Sequence, residues 1–115
     1  MLKVTFEEKE GKLTLRLKGH AGQAEKGKDI VCASASILAY TVAQIVRDYS
    51  TTKKLKSDPV IELKSGNSVI TCEPKKRVYN ELQYAYCVAE VGYTLLAHNY
   101  PQFVELKQFS KPYKA

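Results

Sequence analysis

The chain has 115 residues, 44% of them apolar, and a formal net charge of +6 from 18 basic and 12 acidic side chains. That length points to one domain spanning residues 1–115, with one modest core, rather than to two. The three cysteines, at positions 32, 72 and 87, are odd in number and widely spaced, which is neither a disulfide framework nor a zinc pattern. No cofactor is called for, and a reducing cytoplasmic setting is the simplest one.

Residues 2–7 alternate apolar and polar, with Leu2, Val4 and Phe6 on one face, and predict a strand rather than a signal peptide. Residues 12–19 predict a second strand with Leu13, Leu15 and Leu17 inward. The polar Glu8-Lys9-Glu10-Gly11 between them suits a hairpin turn. Alternation of this kind belongs to antiparallel sheets with one solvated face. From about Cys32 to Tyr49 the period becomes helical, through Leu38, Val42, Ile45, Val46 and Tyr49, with alanines at 33, 35, 39 and 43 allowing close packing. Residues 53–58 read as an exposed loop. Val60, Ile61 and Leu63 begin a third strand, Ser65-Gly66-Asn67-Ser68 is a turn, and Val69–Cys72 is a fourth strand closed by Pro74. A second helix is expected from about Tyr79 to Asn99. It carries two apolar stripes: Leu82, Ala85, Tyr86, Ala89, Tyr93 and Leu96, and Tyr84, Cys87, Val91 and Leu95. One stripe should face the sheet and the other a second partner, either the first helix or another subunit. Pro101 stops this helix, and Phe103, Val104 and Leu106 suggest a short last strand. The order ββαββαβ implies an α+β fold, a mainly antiparallel sheet packed with two long helices. No apolar run approaches the roughly 18 residues of a membrane helix.

The segment with chemical content runs from Gly19 to Ser36. Cys32 is expected at or near a helix N-terminus, where unpaired N–H groups and the helix dipole favour a thiolate. The N–H groups of Cys32, Ala33 and Ser34 are then candidates for an oxyanion site. His20 stands at the end of the second strand, placed to take the thiol proton and return it to a leaving amine. Gly22 and Gly27 give the intervening loop freedom to move over the site. Each feature also has a plain explanation. A lone cysteine beside Ile30 and Val31 is commonly a small buried hydrophobe. A histidine at a strand end is commonly a surface residue, Asp29 can be a helix cap, and Ser36 can bond back to a helix carbonyl. Composition and spacing leave both readings open.

The run Gly19-His20-Ala21, then Gly27, Asp29-Ile30-Val31-Cys32-Ala33 and Ser36, resembles the signature of Prp, the ribosomal-processing cysteine protease of Firmicutes and related bacteria. The likeness extends more weakly through the length and element order. It implies a cysteine endopeptidase with Cys32 as nucleophile and His20 as base, Asp29 and Ser36 being motif positions near the site. It also implies a substrate: the short N-terminal extension of large-subunit ribosomal protein L twenty-seven, cut after a Phe-Phe-Ala-like stretch. Family members look like homodimers, and related phage proteins process capsid or scaffold proteins.

Two other function classes stand beside this one. The positive charge suits a polyanion such as RNA or a ribosome, but the lysines are scattered and no aromatic residues interleave with them as a base-stacking platform requires. A thiol redox role lacks a Cys-x-x-Cys motif. Cys72, in a strand, and Cys87, on an apolar helix stripe, read as packing.

Overall fold

The computed structural model describes residues 1–20 and 26–110, with the side chains of all of these except 26–29. Strands β1 (Leu2–Lys9), β2 (Lys12–Lys18), β3 (Val60–Lys64), β4 (Asn67–Cys72) and β5 (Val104–Lys107) form one sheet, and the helices are α1 (Lys26–Thr51) and α2 (Tyr79–Asn99). The strand order is β3-β4-β2-β1-β5. All pairings are antiparallel except β1 with β5, which run parallel. The ββαββαβ order and the α+β class therefore hold, in a mixed sheet.

The alternation in β1 and β2 does what the sequence suggests. Leu13, Leu15 and Ile70 are fully buried, and Val4 and Phe6 nearly so, so one face of the sheet forms the core floor. Burying each such side chain contributes roughly 1.5–3 kcal/mol. The helices complete the layer, with Val31, Ala35, Ala39, Val42 and Val46 from α1 and Leu82, Tyr86, Ala89, Tyr93 and Leu96 from α2. Two buried tyrosines satisfy their hydroxyls by donating to main-chain carbonyls, Tyr86 to Ile70 at 3.0 Å and Tyr93 to Ala35 at 2.7 Å. A buried hydroxyl left without a partner would cost free energy, so these bonds also fix where α2 sits. The opposite face of the sheet carries Thr14 and Thr71, whose hydroxyls meet at 3.1 Å across β2 and β4.

Several boundaries differ from the expectations. The first hairpin turn is only Glu10-Gly11, both at positive φ (53° and 82°), with Lys9 opposite Lys12. Two left-handed residues make the tight turn that matches strand twist, so β1 runs on to Lys9. The loop after α1 is not wholly exposed, because Leu55 is buried and bridges to Pro74. Ile30–Thr51 is, contrary to expectation, long and apolar enough to cross a bilayer by length and composition. Its alanine- and valine-rich stripe instead lies in the core against the sheet. The largest shift is at the start of α1, six residues ahead of Cys32. Val31 is fully buried in the same stripe as Ala35 and Ala39, so core packing already governs the helix before Cys32.

The two stripes of α2 also separate. The first is buried apart from the half-buried Ala85, whereas in the second Tyr84, Val91 and Leu95 are 57–59% exposed and Cys87 is half-buried, with the neighbouring Val88 also exposed. The first helix does not cover the second stripe. It meets α2 elsewhere, where a Cβ on Gly92 would stand 2.8 Å from Leu38.

Candidate active site

A cleft of about 320 Å³ opens between α1 and the β3 side of the sheet. One wall is a single face of α1, formed by Cys32, Ala35, Ser36, Ala39 and Tyr40. The spacing of three, four, seven and eight residues from Cys32 is that of one helical face. Leu2, Leu17 and Leu63 add apolar surface from three strands, and the lip is Gly19, His20 and the β3–β4 turn from Lys64 to Ser68. His20 and Cys32, twelve positions apart in sequence, thus face one cavity, and both are exposed. Among the described residues no hydrogen bond joins them.

Local geometry explains the position of His20. Lys18 is opposite Asn67 at the last rung of the β2–β4 ladder. Beyond it, the Gly19 N–H donates to the Gly66 carbonyl at 2.9 Å. Gly19 itself has φ of +88°, and a Cβ there would stand 2.6 Å from the Met1 carbonyl oxygen. Only glycine accepts both the left-handed backbone and that approach. The chain therefore turns over the β3–β4 hairpin, and the imidazole comes to rest on Gly66.

The remaining expected site residues divide three ways. Ser36 lies in the cleft one turn beyond Cys32, as anticipated. Ala33 is exposed and Ser34 half-buried, and neither lines the cleft. Gly22 lies outside the described residues. Gly27 and Asp29 have helical backbone in the first turns of α1, their side-chain surroundings lying outside the described residues, and Asp29 stands inside the helix rather than at its cap. The oxyanion role given to the N–H groups of Cys32, Ala33 and Ser34 needs correction. These are the seventh to ninth residues of α1, so their N–H groups enter the helix's own hydrogen-bond ladder. The dipole effect also falls off within the first turn. Position at a helix N-terminus is therefore not what would activate Cys32.

Sequence reads Ser65, Asn67 and Ser68 only as a turn, and gives Lys64, the last residue of β3, no role. Their place in the site follows from β4 pairing with β2, which local pattern does not reveal. The other two thiols are in different surroundings. Cys72 is 1% exposed, and burial pushes its pKa up to about 11, against a smaller lowering by the Tyr86 hydroxyl. Cys87 is also pushed up to about 11, by burial and then by the Glu90 carboxylate. Among the described residues no group of three His, Cys, Asp or Glu side chains is placed to hold a metal ion.

The family described as cysteine protease Prp matches residues 1–105. The chain belongs to that family. It is accordingly a cysteine protease. Solved structures agree in fold. SMU.848 from Streptococcus mutans is 26% identical over 96% of each chain, with a TM-score of 0.68. The ribosomal processing protease Prp from S. aureus in complex with a substrate peptide is 21% identical over 94% of this chain and 99% of its own, with a TM-score of 0.67. The same S. aureus protease with a covalently linked product peptide is 22% identical, with a TM-score of 0.66. No curated protein matches the chain.

Proposed function

We propose that this Prp-family protease is an endopeptidase that removes the N-terminal extension of large-subunit ribosomal protein L twenty-seven, with Cys32 as nucleophile and His20 as general base. The observation that carries the reading is that β2 and α1 bring these two side chains to one cleft with apolar walls. The S. aureus neighbours, a ribosomal processing protease bound to substrate and product peptides, support the substrate class.

In this reading His20 takes the Cys32 thiol proton as the sulfur attacks the scissile carbonyl carbon. The tetrahedral intermediate collapses to a thioester when His20 returns the proton to the departing amine. Water, deprotonated by the same imidazole, then releases the acid and restores the thiol. Because the α1 N–H groups near Cys32 are committed to the helix, the polar donors for the oxyanion are cleft side chains, Ser36 and Asn67. Substrate binding draws the imidazole and thiol into contact, since catalytic hydrogen bonds commonly tighten only in the complex. Tyr40, 52% exposed at the cleft, gives an aromatic surface for the Phe-Phe part of the substrate. The test is Cys32→Ala and His20→Ala on a peptide containing Phe-Phe-Ala. The first abolishes cleavage and the second slows it strongly, both with unchanged far-UV circular dichroism. Wild-type turnover by Cys32→Ala overturns the assignment.

The protein acts as a homodimer in this proposal. The exposed stripe of Val88, Val91 and Leu95 on α2 is the kind of apolar surface that a second copy covers.

A further inference from the structure

We propose that Gly66, in the turn between β3 and β4, is a positioning residue for His20, setting where the imidazole stands by the absence of a side chain. The inference rests on the reading of His20 as the base. A Cβ at position 66 would lie 2.7 Å from His20 Nε2, 3.1 Å from Cε1 and 3.6 Å from Cδ2. Contacts under 3 Å are not sustained, so any side chain here displaces the ring. The same residue holds the backbone before the histidine, through the Gly19 N–H to Gly66 carbonyl bond of 2.9 Å. One residue thus fixes both the strand end that bears His20 and the surface on which its ring lies. That surface belongs to a hairpin whose other members line the cleft.

A glycine in a turn has a competing explanation, backbone strain, because Gly66 has φ of +77°. Gly11 separates the two. It too sits in a two-residue turn, at φ of +82°, and a Cβ there meets nothing within 4 Å. It lies at the opposite end of β2, roughly 20 Å away for a seven-residue strand. Gly11→Ala therefore reproduces the strain without touching His20.

The experiment compares Gly66→Ala with Gly11→Ala. Gly66→Asn is a second variant, since asparagine tolerates the left-handed backbone yet carries the same Cβ. Thermal melts establish that each is folded. The chain has only two histidines, at 20 and 98, so the imidazole Hε1 resonances give a readout independent of activity. Both Gly66 variants should move the His20 resonance. They should lower kcat by about ten- to a hundredfold, the scale of a displacement of order 1 Å, with KM little changed. Gly11→Ala should lose similar thermal stability and keep wild-type kcat and the His20 resonance. Gly66 variants that match Gly11→Ala in resonance or in kcat overturn the proposal. Faster turnover does so as well, because the productive ring position would then lie away from the turn. His20→Ala distinguishes this failure from that of the underlying reading. If His20→Ala cleaves at the wild-type rate, His20 is not the base, whatever Gly66 does to its ring.

Discussion

Alkylation by iodoacetamide tests the placement of the three thiols directly. Only thiolate reacts appreciably. With Cys72 and Cys87 both pushed up to about 11, roughly one molecule in a thousand carries either thiolate at pH 8. Against the ordinary thiol value of 9.0, each carries about a hundredfold less thiolate at that pH. Cys72 is further protected by being 1% exposed, so its reaction waits on opening of the core. Cys32 is exposed at the cleft. The expected result at pH 8, read by mass spectrometry of tryptic peptides over time, is modification of Cys32 well ahead of Cys72 and Cys87, each slowed about a hundredfold by its raised pKa. Loss of peptidase activity should track the Cys32 adduct. Labelling of Cys87 at the same rate as Cys32 would refute the reasoning, since it would show the α2 thiol to be neither shielded nor held protonated. Full activity in protein modified only at Cys32 would refute the assignment of the nucleophile.

Other outcomes are expected from the same structure. Tyr93→Phe removes the buried bond to the Ala35 carbonyl and should cost about 1 kcal/mol in denaturant unfolding; no change would mean that the hydroxyl does not anchor the cleft wall. Cys72 has a native pKa near 11 against an ordinary value of 9.0. The neutral thiol is favoured in the fold, so its contribution is intact below pH 9 and is lost as pH rises through 11, about 2–3 kcal/mol in all. Under reducing conditions Cys72→Ala should flatten the fall in unfolding free energy over that interval, and an unchanged slope counts against it. If the proposed homodimer forms through the exposed α2 stripe, Leu95→Glu, which places a charge there, should give a monomer in light scattering; a dimer that survives it uses another face, and a monomeric wild type refutes the dimer itself.

The alternation of Leu2, Val4 and Phe6 and of Leu13, Leu15 and Leu17 was sufficient to read β1 and β2 and to say which faces are buried. The second helix was legible within its limits because its tyrosine and leucine stripe runs through the single Gly92 with no proline before Pro101. The start of α1 was not, because Gly27 and the surrounding lysines look like loop, while the burial that extends the helix falls on Val31 and on alanines that carry little periodic signal. His20 and Cys32 were legible as types in a pattern, and the resemblance to Prp singled them out. The contribution of the turn at Ser65–Ser68 was hidden, since it depends on β4 lying beside β2 rather than on anything in the turn. The parallel partnership of β1 with β5 was hidden for the same reason, being a matter of sheet order rather than local propensity.

Sheet order also explains why His20 stands where it does. The Gly19–Gly66 bond exists only in the register that puts Lys18 opposite Asn67. That register is the one in which Leu15 faces Ile70 and Leu13 faces Cys72, all four at most 1% exposed. A slip of one residue would turn Ile70 and Cys72 out of the core and is strongly opposed for that reason. The core pairing some 10–20 Å down the strands therefore holds the turn that carries the imidazole. The thiol has a different support, an α1 face whose neighbouring residues Val31, Ala35 and Ala39 are packed on the sheet. Each half of the site is fixed by its own part of one core.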